Sequence, residues 1–167
     1  MFTTVAAFLK TWRYESAATL KIMKALTDAS LAQAVTPVDR TLGRLAWHVT
    51  TTIPEMMRRT GLRLSGPAHD APVPPSAGEI ASAYEEAARS VAATVEQGWD
   101  DTTLLAEDDM YGQKWKRGVT LGALVHHQIH HRGQMTVLMR QAGLVVPGTY
   151  GPAREEWNAM GVPPPTI

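Results

Sequence analysis

The sequence predicts an all-α fold, most simply a four-helix bundle. Four segments carry apolar residues at intervals of three and four, which is typical of amphipathic helices, and no segment alternates like a convincing strand. The 167 residues suffice for one domain with its own hydrophobic core, predicted to span residues 1–167. The predicted helices cover about residues 3–34, 39–59, 76–97 and 120–142, and an irregular tail covers residues 143–167.

Proline and aspartate residues mark the limits of the first two predicted helices. Pro37 ends the first helix or lies just beyond its end. Asp39 is the expected N-cap of the second helix, because its short side chain can accept a hydrogen bond from the first turn. Pro54 lies within the second helix and is expected to kink or shorten it.

Capping residues and glycines mark the limits of the other two predicted helices. Ser76 has capping-box spacing at the start of the third helix, and Gly98 is expected to end it. Thr120 is the expected N-cap of the fourth helix, which should end at Gly143. A short hairpin is predicted around Gly112, between these two helices.

The connections on either side of the third helix are long. Each has roughly 15 to 20 residues, which is more than helical hairpins in bundles need. They therefore indicate crossover links, or loops that form a mouth over one end of the bundle.

Charge and composition exclude several classes of protein. Sixteen basic and sixteen acidic side chains leave no net charge, which argues against a nucleic-acid partner. The chain has no cysteine, so it has no disulfide, no thiolate nucleophile and no cysteine-based zinc site. Charged residues interrupt every apolar run, so no membrane partner is expected, and Lys10 and Arg13 interrupt the segment where a signal peptide would be apolar. We therefore expect a cytoplasmic protein.

Histidine is concentrated in one helix, where residues 126–131 contain four of the six histidines. His127 and His131 are four residues apart, so both imidazoles lie on one helix face and are able to bind the same metal ion. Apolar neighbours on that side place this pair toward the core, whereas His126 and His130 form a pair that points away.

A third ligand for such an ion is available on the second predicted helix. His48 lies at the edge of the apolar stripe of that helix, where it could reach a metal ion bound between helices. Three histidines with open coordination positions are typical of a catalytic metal site. The same spacing is also compatible with hydrogen-bonded core histidines, a solvated face or a pH-sensitive patch. His69, in a proline-rich loop, is interpreted as an ordinary surface residue.

The fourth helix resembles the signature helix of the DinB/YfiT-like superfamily. Members carry an H-x-x-x-H-R-G-Q run, which here spans residues 127–134 within HHQIHHRGQMTVLMRQAG. The resemblance extends upstream to LAWHVTTTIPEM and downstream to PGTYGPAREEW, so it covers about residues 5–160. It implies a four-helix bundle, often a homodimer, in which His48, His127 and His131 bind a divalent transition metal, most often zinc or nickel.

The resemblance also implies a class of reaction. Superfamily members with assigned activities include S-transferases and isomerases that use a low-molecular-weight thiol such as bacillithiol, mycothiol or glutathione; others were noticed as damage-inducible proteins. We therefore expect a metal-dependent enzyme that activates a thiol or water for a small-molecule substrate, with any thiol supplied by a co-substrate. The alternatives are a metal-dependent hydrolase, a non-catalytic metal-binding stress-response module and a helical dimer without metal.

Two further residues are candidates for catalysis. Gln134 is one turn beyond His131 and is expected to contact metal-bound water, to orient a ligand or to form an ordinary surface hydrogen bond. Glu55 is two turns beyond His48 and is a candidate general base or fourth ligand, with a solvated carboxylate as the simpler alternative.

Other polar residues are candidates for binding a cofactor or stabilising the fold. Tyr111 and Tyr150 lie in loops and could donate a hydrogen bond to an anion. Lys114 and Arg117 belong to the strongest basic cluster, which could bind a carboxylate of a thiol cofactor. Arg132 is expected to have a structural role, paired with an acidic residue such as Glu155 or Glu156.

Overall fold

A computed structural model describes residues 1–166 and confirms the four-helix bundle; Ile167, the last residue of the predicted tail, lies outside the described residues. Short 3-10 helices occur in the connections and in the tail. None of the helices in the described part of the chain is long and apolar enough to cross a membrane. The main elements are α1 (Val5–Lys24), α2 (Leu42–Arg58), α3 (Ala77–Gly98), β1 (Glu107–Met110), β2 (Gln113–Lys116) and α4 (Arg117–Gln141).

The helices pack in an order that differs from their order in the sequence. Helices α1 and α2 each pack against both α3 and α4. It follows that α1 and α2 occupy diagonal positions in the bundle, and so do α3 and α4. The segments that join these diagonal pairs must cross an end of the bundle, which explains the length of the connection between α3 and α4.

The first helix is shorter than the sequence predicts. Helix α1 ends at Lys24 rather than near residue 34. The hydroxyl of Thr27 accepts a hydrogen bond from the backbone N–H of Ser30, and a separate 3-10 helix follows over Asp28–Ala32. Local capping by these small polar side chains competes with continuation of the α-helix.

The N-cap predicted for the second helix is also wrong. The hydroxyl of Thr41 caps α2 by accepting from the N–H of Arg44 at 3.1 Å. The carboxylate of Asp39 accepts instead from the hydroxyl of Thr36 at 2.7 Å, within the preceding loop. The predicted shortening at Pro54 is not observed, because α2 continues for another turn beyond it.

Helix α3 begins as predicted, whereas α4 begins earlier. The hydroxyl of Ser76 accepts from the N–H of Glu79 at the start of α3. Helix α4 begins at Arg117, directly after β2, so Thr120 is a buried residue of the helix and not its N-cap. Gly143 follows α4 with a φ of +76°, the left-handed conformation common after a helix end.

The hairpin predicted around Gly112 is confirmed. Strands β1 and β2 are antiparallel, with Met110 opposite Gln113, so only two residues form the turn. These residues, Tyr111 and Gly112, both have positive φ values, of +59° and +84°, which is typical of a type I′ turn. Met110 is fully buried and attaches the hairpin to the bundle.

The core contains large apolar side chains and a few internal polar contacts. The amide of buried Gln128 accepts a hydrogen bond from the hydroxyl of Tyr84 and donates one to the carbonyl of Val49, which connects α4 to α3 and α2. The largest fully buried side chains include Trp12, Phe8, Ile22, Met23, Leu42, Ile53, Met57, Ile80, Leu121 and Leu124.

A buried ion pair connects α4 to α1. The guanidinium of Arg132 donates to the carboxylate of Glu15 at 2.7 Å, and their side chains are 3% and 8% exposed. The same guanidinium donates to the backbone carbonyl of Glu15, to the hydroxyl of Thr19 and to the hydroxyl of Tyr150. The Tyr150 hydroxyl in turn donates to Glu15, so every member of this network has a partner.

The structural role predicted for Arg132 is therefore supported, but its predicted partners are wrong. Glu155 pairs with Arg140, and Glu156 pairs with Lys21. These acidic residues lie in the tail, beyond the end of α4, whereas Arg132 lies in the middle of the helix and points to α1.

We predict that removing one member of the buried pair destabilises the fold strongly. The Glu15→Leu variant leaves the Arg132 charge buried without a counter-charge, so the free energy of unfolding should fall by about 3–5 kcal/mol in urea denaturation. The control is Arg13→Ala, which removes an exposed ion pair with Glu96 and should cost at most about 1 kcal/mol. Equal losses in the two variants would contradict the prediction.

Candidate metal centre

Three histidines from two packed helices come together in the bundle. His48 lies on α2, and His127 and His131 lie on α4. One ring nitrogen from each lies within 4.8 Å of the other two, and their ring centroids are 4.4–4.9 Å apart. His126 and His130, the pair predicted to point away, are exposed. We call His48, His127 and His131 the histidine cluster.

The histidine cluster fits a bound divalent ion. The Nε2 atoms of His48 and His127 are 3.1 Å apart. Two nitrogens bound to one tetrahedral zinc ion at about 2.0–2.1 Å would lie roughly 3.3–3.4 Å apart, so little movement would be needed. Three neutral imidazoles that meet at one point between helices form a donor set that suits zinc, nickel and other divalent transition metals.

Neighbouring polar groups orient two of the imidazoles. The Nδ1 atom of His131 lies 2.7 Å from the side-chain oxygen of Gln134, so Nδ1 carries the proton and donates it to the amide. The Nε2 atom of His131 therefore has a lone pair available to bind a metal ion. The hydroxyl of Thr52 lies 3.5 Å from Nδ1 of His48. The Nδ1 atom of His127 is buried and has no hydrogen-bond partner among residues 1–166.

Burial and mutual repulsion keep the histidine cluster neutral. Burial, followed by the positive charge that His131 would carry, lowers the pKa of His48 to about 4 and that of His127 to about 3. Burial also lowers the pKa of His131, while its hydrogen bond to Gln134 acts in the opposite direction. At neutral pH all three rings therefore have a lone pair available for a metal ion.

One cleft opens from the His48 and His127 side of the cluster. It has a volume of about 490 Å³, and we call it the aromatic cleft. Apolar and polar side chains from α2, α4, the hairpin and the loop after α2 all contribute to its wall. Besides the two histidines, it is lined by Thr52, Glu55, Met56, Arg59, His69, Tyr111, Trp115 and Ala123.

The carboxylate of Glu55 is held between two donors in the aromatic cleft. Arg59 donates to one oxygen at 2.7 Å, and the hydroxyl of Tyr111 donates to the other at 2.6 Å. The guanidinium of Arg59 also lies over the Tyr111 ring, 4.2 Å from its centroid. Burial and the adjacent carboxylate raise the pKa of Tyr111 to about 12, so its phenol remains a hydrogen-bond donor at neutral pH.

A second cleft opens from the His131 side of the cluster. It also has a volume of about 490 Å³, and we call it the arginine cleft. Arg40, from the loop before α2, and Gln134, from α4, are its polar donors, and Asp39 lies beside them. The remaining lining residues are Val35, Leu45, His131 and Leu138.

Several residues predicted for the site lie elsewhere. Lys114 is exposed on β2 and does not line either cleft. Arg117 forms a bidentate ion pair with Asp108, and Tyr150 belongs to the network around Arg132. The structure therefore brings Glu55, Gln134 and Tyr111 near the histidine cluster, and it does not bring Lys114, Arg117 or Tyr150 there.

Two residues near the cluster were missed by sequence reasoning. His69 is exposed but lines the aromatic cleft, and Arg40 lines the arginine cleft. His69 lies in a proline-rich connection without hydrophobic periodicity, and Arg40 lies at the predicted start of the second helix, before its apolar stripe begins, so no local pattern indicates which way either side chain points. The available signal was that both residues lie close in sequence to the ends of the helix that contains His48.

Comparison with known protein sequences points to one family. The sequence model of the DinB family matches residues 1–165. The uncharacterized protein YrdA of Bacillus subtilis (strain 168) is 47% identical over 167 residues, which is the full length of both chains.

Solved structures include similar folds. A DinB-like protein from Bacillus cereus ATCC 10987 is 45% identical and matches with a TM-score of 0.87, over 90% of this chain and 100% of that one. A DinB-like protein, YjoA, from Bacillus subtilis matches with a TM-score of 0.66 at 16% identity, over 86% of this chain and 96% of that one. The second likeness concerns the fold alone.

We predict that the metal-free protein loses stability on acidification. In the unfolded chain imidazole titrates near pH 6.5, whereas His48 and His127 take up protons in the folded chain only near pH 4 and 3. Because the unfolded chain binds more protons in that window, the contribution of these two histidines to the free energy of unfolding is fully present above about pH 6.5 and declines as the pH falls toward about 3.

The measurement is urea denaturation of the metal-free protein at about pH 7 and about pH 5. The free energy of unfolding of the His127→Gln variant should differ less between the two pH values than that of the wild type. His126 is exposed, so the His126→Gln variant should keep the wild-type difference. A wild-type stability that is the same at both pH values would contradict the prediction.

Proposed function

The chain belongs to the DinB family, and from this premise we propose that it is a metal-dependent enzyme whose His48, His127 and His131 bind one divalent ion, zinc or nickel. The observation that carries the proposal is the meeting of three neutral imidazole nitrogens between α2 and α4. Gln134 supports this role because it fixes the proton of His131 on the nitrogen that points away from the cluster.

The reaction that we propose is transfer of a low-molecular-weight thiol to a small electrophile. A divalent ion held by the cluster supplies a Lewis acid, which lowers the pKa of a thiol or of water toward neutrality. The chain itself contains no cysteine, so the reacting sulfur has to belong to a co-substrate. The two clefts that meet at the histidine cluster provide separate room for the thiol and for the electrophile.

Within this proposal, Glu55 is the general base for the thiol proton, and Tyr111 holds Glu55 in position. Glu55 accepts the thiol proton, the sulfur forms a bond to the electrophilic carbon, and the leaving group departs with its bonding electrons. The Tyr111 phenol, protonated at neutral pH, donates a hydrogen bond to Glu55 and keeps its carboxylate at the wall of the aromatic cleft. The homodimer implied by the family resemblance and the cytoplasmic location expected from the distribution of charged residues remain predictions.

The ligand assignment predicts the metal content of variants. Wild-type protein purified without a polyhistidine tag should contain about one equivalent of divalent metal per chain, and His131→Ala should lose most of it, because two imidazoles seldom suffice. Its melting temperature should also fall, since metal-binding free energy contributes to folding. The control is His126→Ala, which removes an exposed histidine of the same helix. Unchanged metal content in His131→Ala would refute the assignment.

The proposed reaction predicts activity with generic substrates. Zinc- or nickel-loaded protein should accelerate the reaction in which 2-mercaptoethanol displaces chloride from 1-chloro-2,4-dinitrobenzene, measured by the absorbance of the thioether. Glu55→Gln should lower the rate by about 100-fold or more while the metal content is unchanged, as expected for loss of a general base.

The outcomes separate the alternatives. Hydrolysis of an activated ester in the absence of any thiol would indicate a metal-dependent hydrolase instead of a transferase. A loaded protein that accelerates neither reaction would indicate a non-catalytic metal-binding module. Full activity of Glu55→Gln would remove Glu55 from the mechanism.

A further inference from the structure

Arg40 faces the histidine cluster without a counter-ion. It lines the arginine cleft beside His131 and Gln134, and the described residues contain no ion pair or hydrogen bond from its guanidinium. No ion pair joins it to its neighbour Asp39, whose carboxylate accepts instead from the hydroxyl of Thr36 within the loop. The guanidinium therefore keeps its charge and its five donors for another molecule.

Arg40 and the histidine cluster border the same cleft. Arg40, His131 and Gln134 all line the arginine cleft, whereas Arg44, one turn further along, does not. A small molecule that binds Arg40 in this cleft therefore also has access to the histidine cluster.

A second donor in the arginine cleft also lacks a partner. The side-chain oxygen of Gln134 is engaged by His131, which leaves its NH₂ group with no hydrogen bond among residues 1–166. The cleft thus presents an amide donor and a guanidinium together with apolar walls from Val35, Leu45 and Leu138. Two donors of this kind match a planar carboxylate, which Arg binds with two parallel hydrogen bonds.

We propose that Arg40 is the specificity-determining residue for a carboxylate of the thiol co-substrate, which occupies the arginine cleft with its sulfur at the histidine cluster. The proposal rests on the proposed thiol chemistry. A singly charged carboxylate suits this cleft better than a doubly charged phosphate, because the Asp39 carboxylate lies on the same wall and would repel the second charge. The electrophile then occupies the aromatic cleft on the other side of the cluster.

The test compares two small thiols that differ in one carboxylate. Isothermal titration calorimetry on zinc-loaded protein measures the affinities of 3-mercaptopropionate and 2-mercaptoethanol. Wild-type protein should bind 3-mercaptopropionate about fivefold more tightly, as expected for one exposed ion pair. Arg40→Gln should bind both thiols equally while retaining its zinc. The matched control is Arg44→Gln, which removes an exposed arginine of the adjacent helix turn and should keep the wild-type preference.

Two results would overturn the proposal. Equal binding of the two thiols by wild-type protein means that no carboxylate site exists. A preference that survives in Arg40→Gln means that the carboxylate contacts zinc or another group instead of Arg40.

A titration with a carboxylate that contains no sulfur separates this proposal from the proposed function. Propionate is titrated into zinc-loaded protein while the side-chain Nε–H NMR signal of Arg40, identified by its absence in Arg40→Gln, is followed. If neither thiol binds but propionate shifts this signal, the thiol chemistry fails and the carboxylate site stands. If propionate shifts nothing and neither thiol binds, both proposals fail.

Discussion

The buried ion pair between Arg132 and Glu15 is the interaction on which the arrangement of the candidate site depends. An arginine in the middle of α4 can be buried only if its donors are satisfied, and Glu15, Thr19 and Tyr150 satisfy them from one direction. This requirement fixes the rotation of α4 about its own axis. The preceding residue, His131, is then directed about a quarter turn away, toward α2 and His48.

Local sequence patterns were sufficient to predict that four helices form, but not all of their ends, and to predict the inner pair of histidines on α4. The four-residue spacing of His127 and His131, together with apolar neighbours on the same face, identified the side of α4 that the structure buries. The hairpin turn was equally local, because Gly112 and its neighbour adopt conformations that the turn type requires. These features depend on the conformational preferences of a few adjacent residues, which the sequence contains directly.

Features that depend on distant partners could not be predicted in the same way. Arg132 was assigned to Glu155 or Glu156 because they were acidic and followed the helix, but its partner lies 117 residues earlier on α1. Threonine is a common N-cap residue, yet α4 follows directly from the hairpin and begins three residues before Thr120. Likewise, Arg40 and His69 face the histidine cluster only because the ends of their loops are attached to the bundle.

The loop that contains His69 is attached at both ends. Near its start, the N–H of Ser65 donates to Ser90, and Gly66 packs so closely on Pro54 that a Cβ would lie 3.2 Å from its ring. Beyond His69, the carbonyl of Ala71 accepts from the Trp47 indole at 2.8 Å. This wall of the aromatic cleft is therefore already ordered before a ligand arrives. A molecule that enters should lose little affinity to loop ordering, and selection among ligands should depend on shape rather than on induced closure.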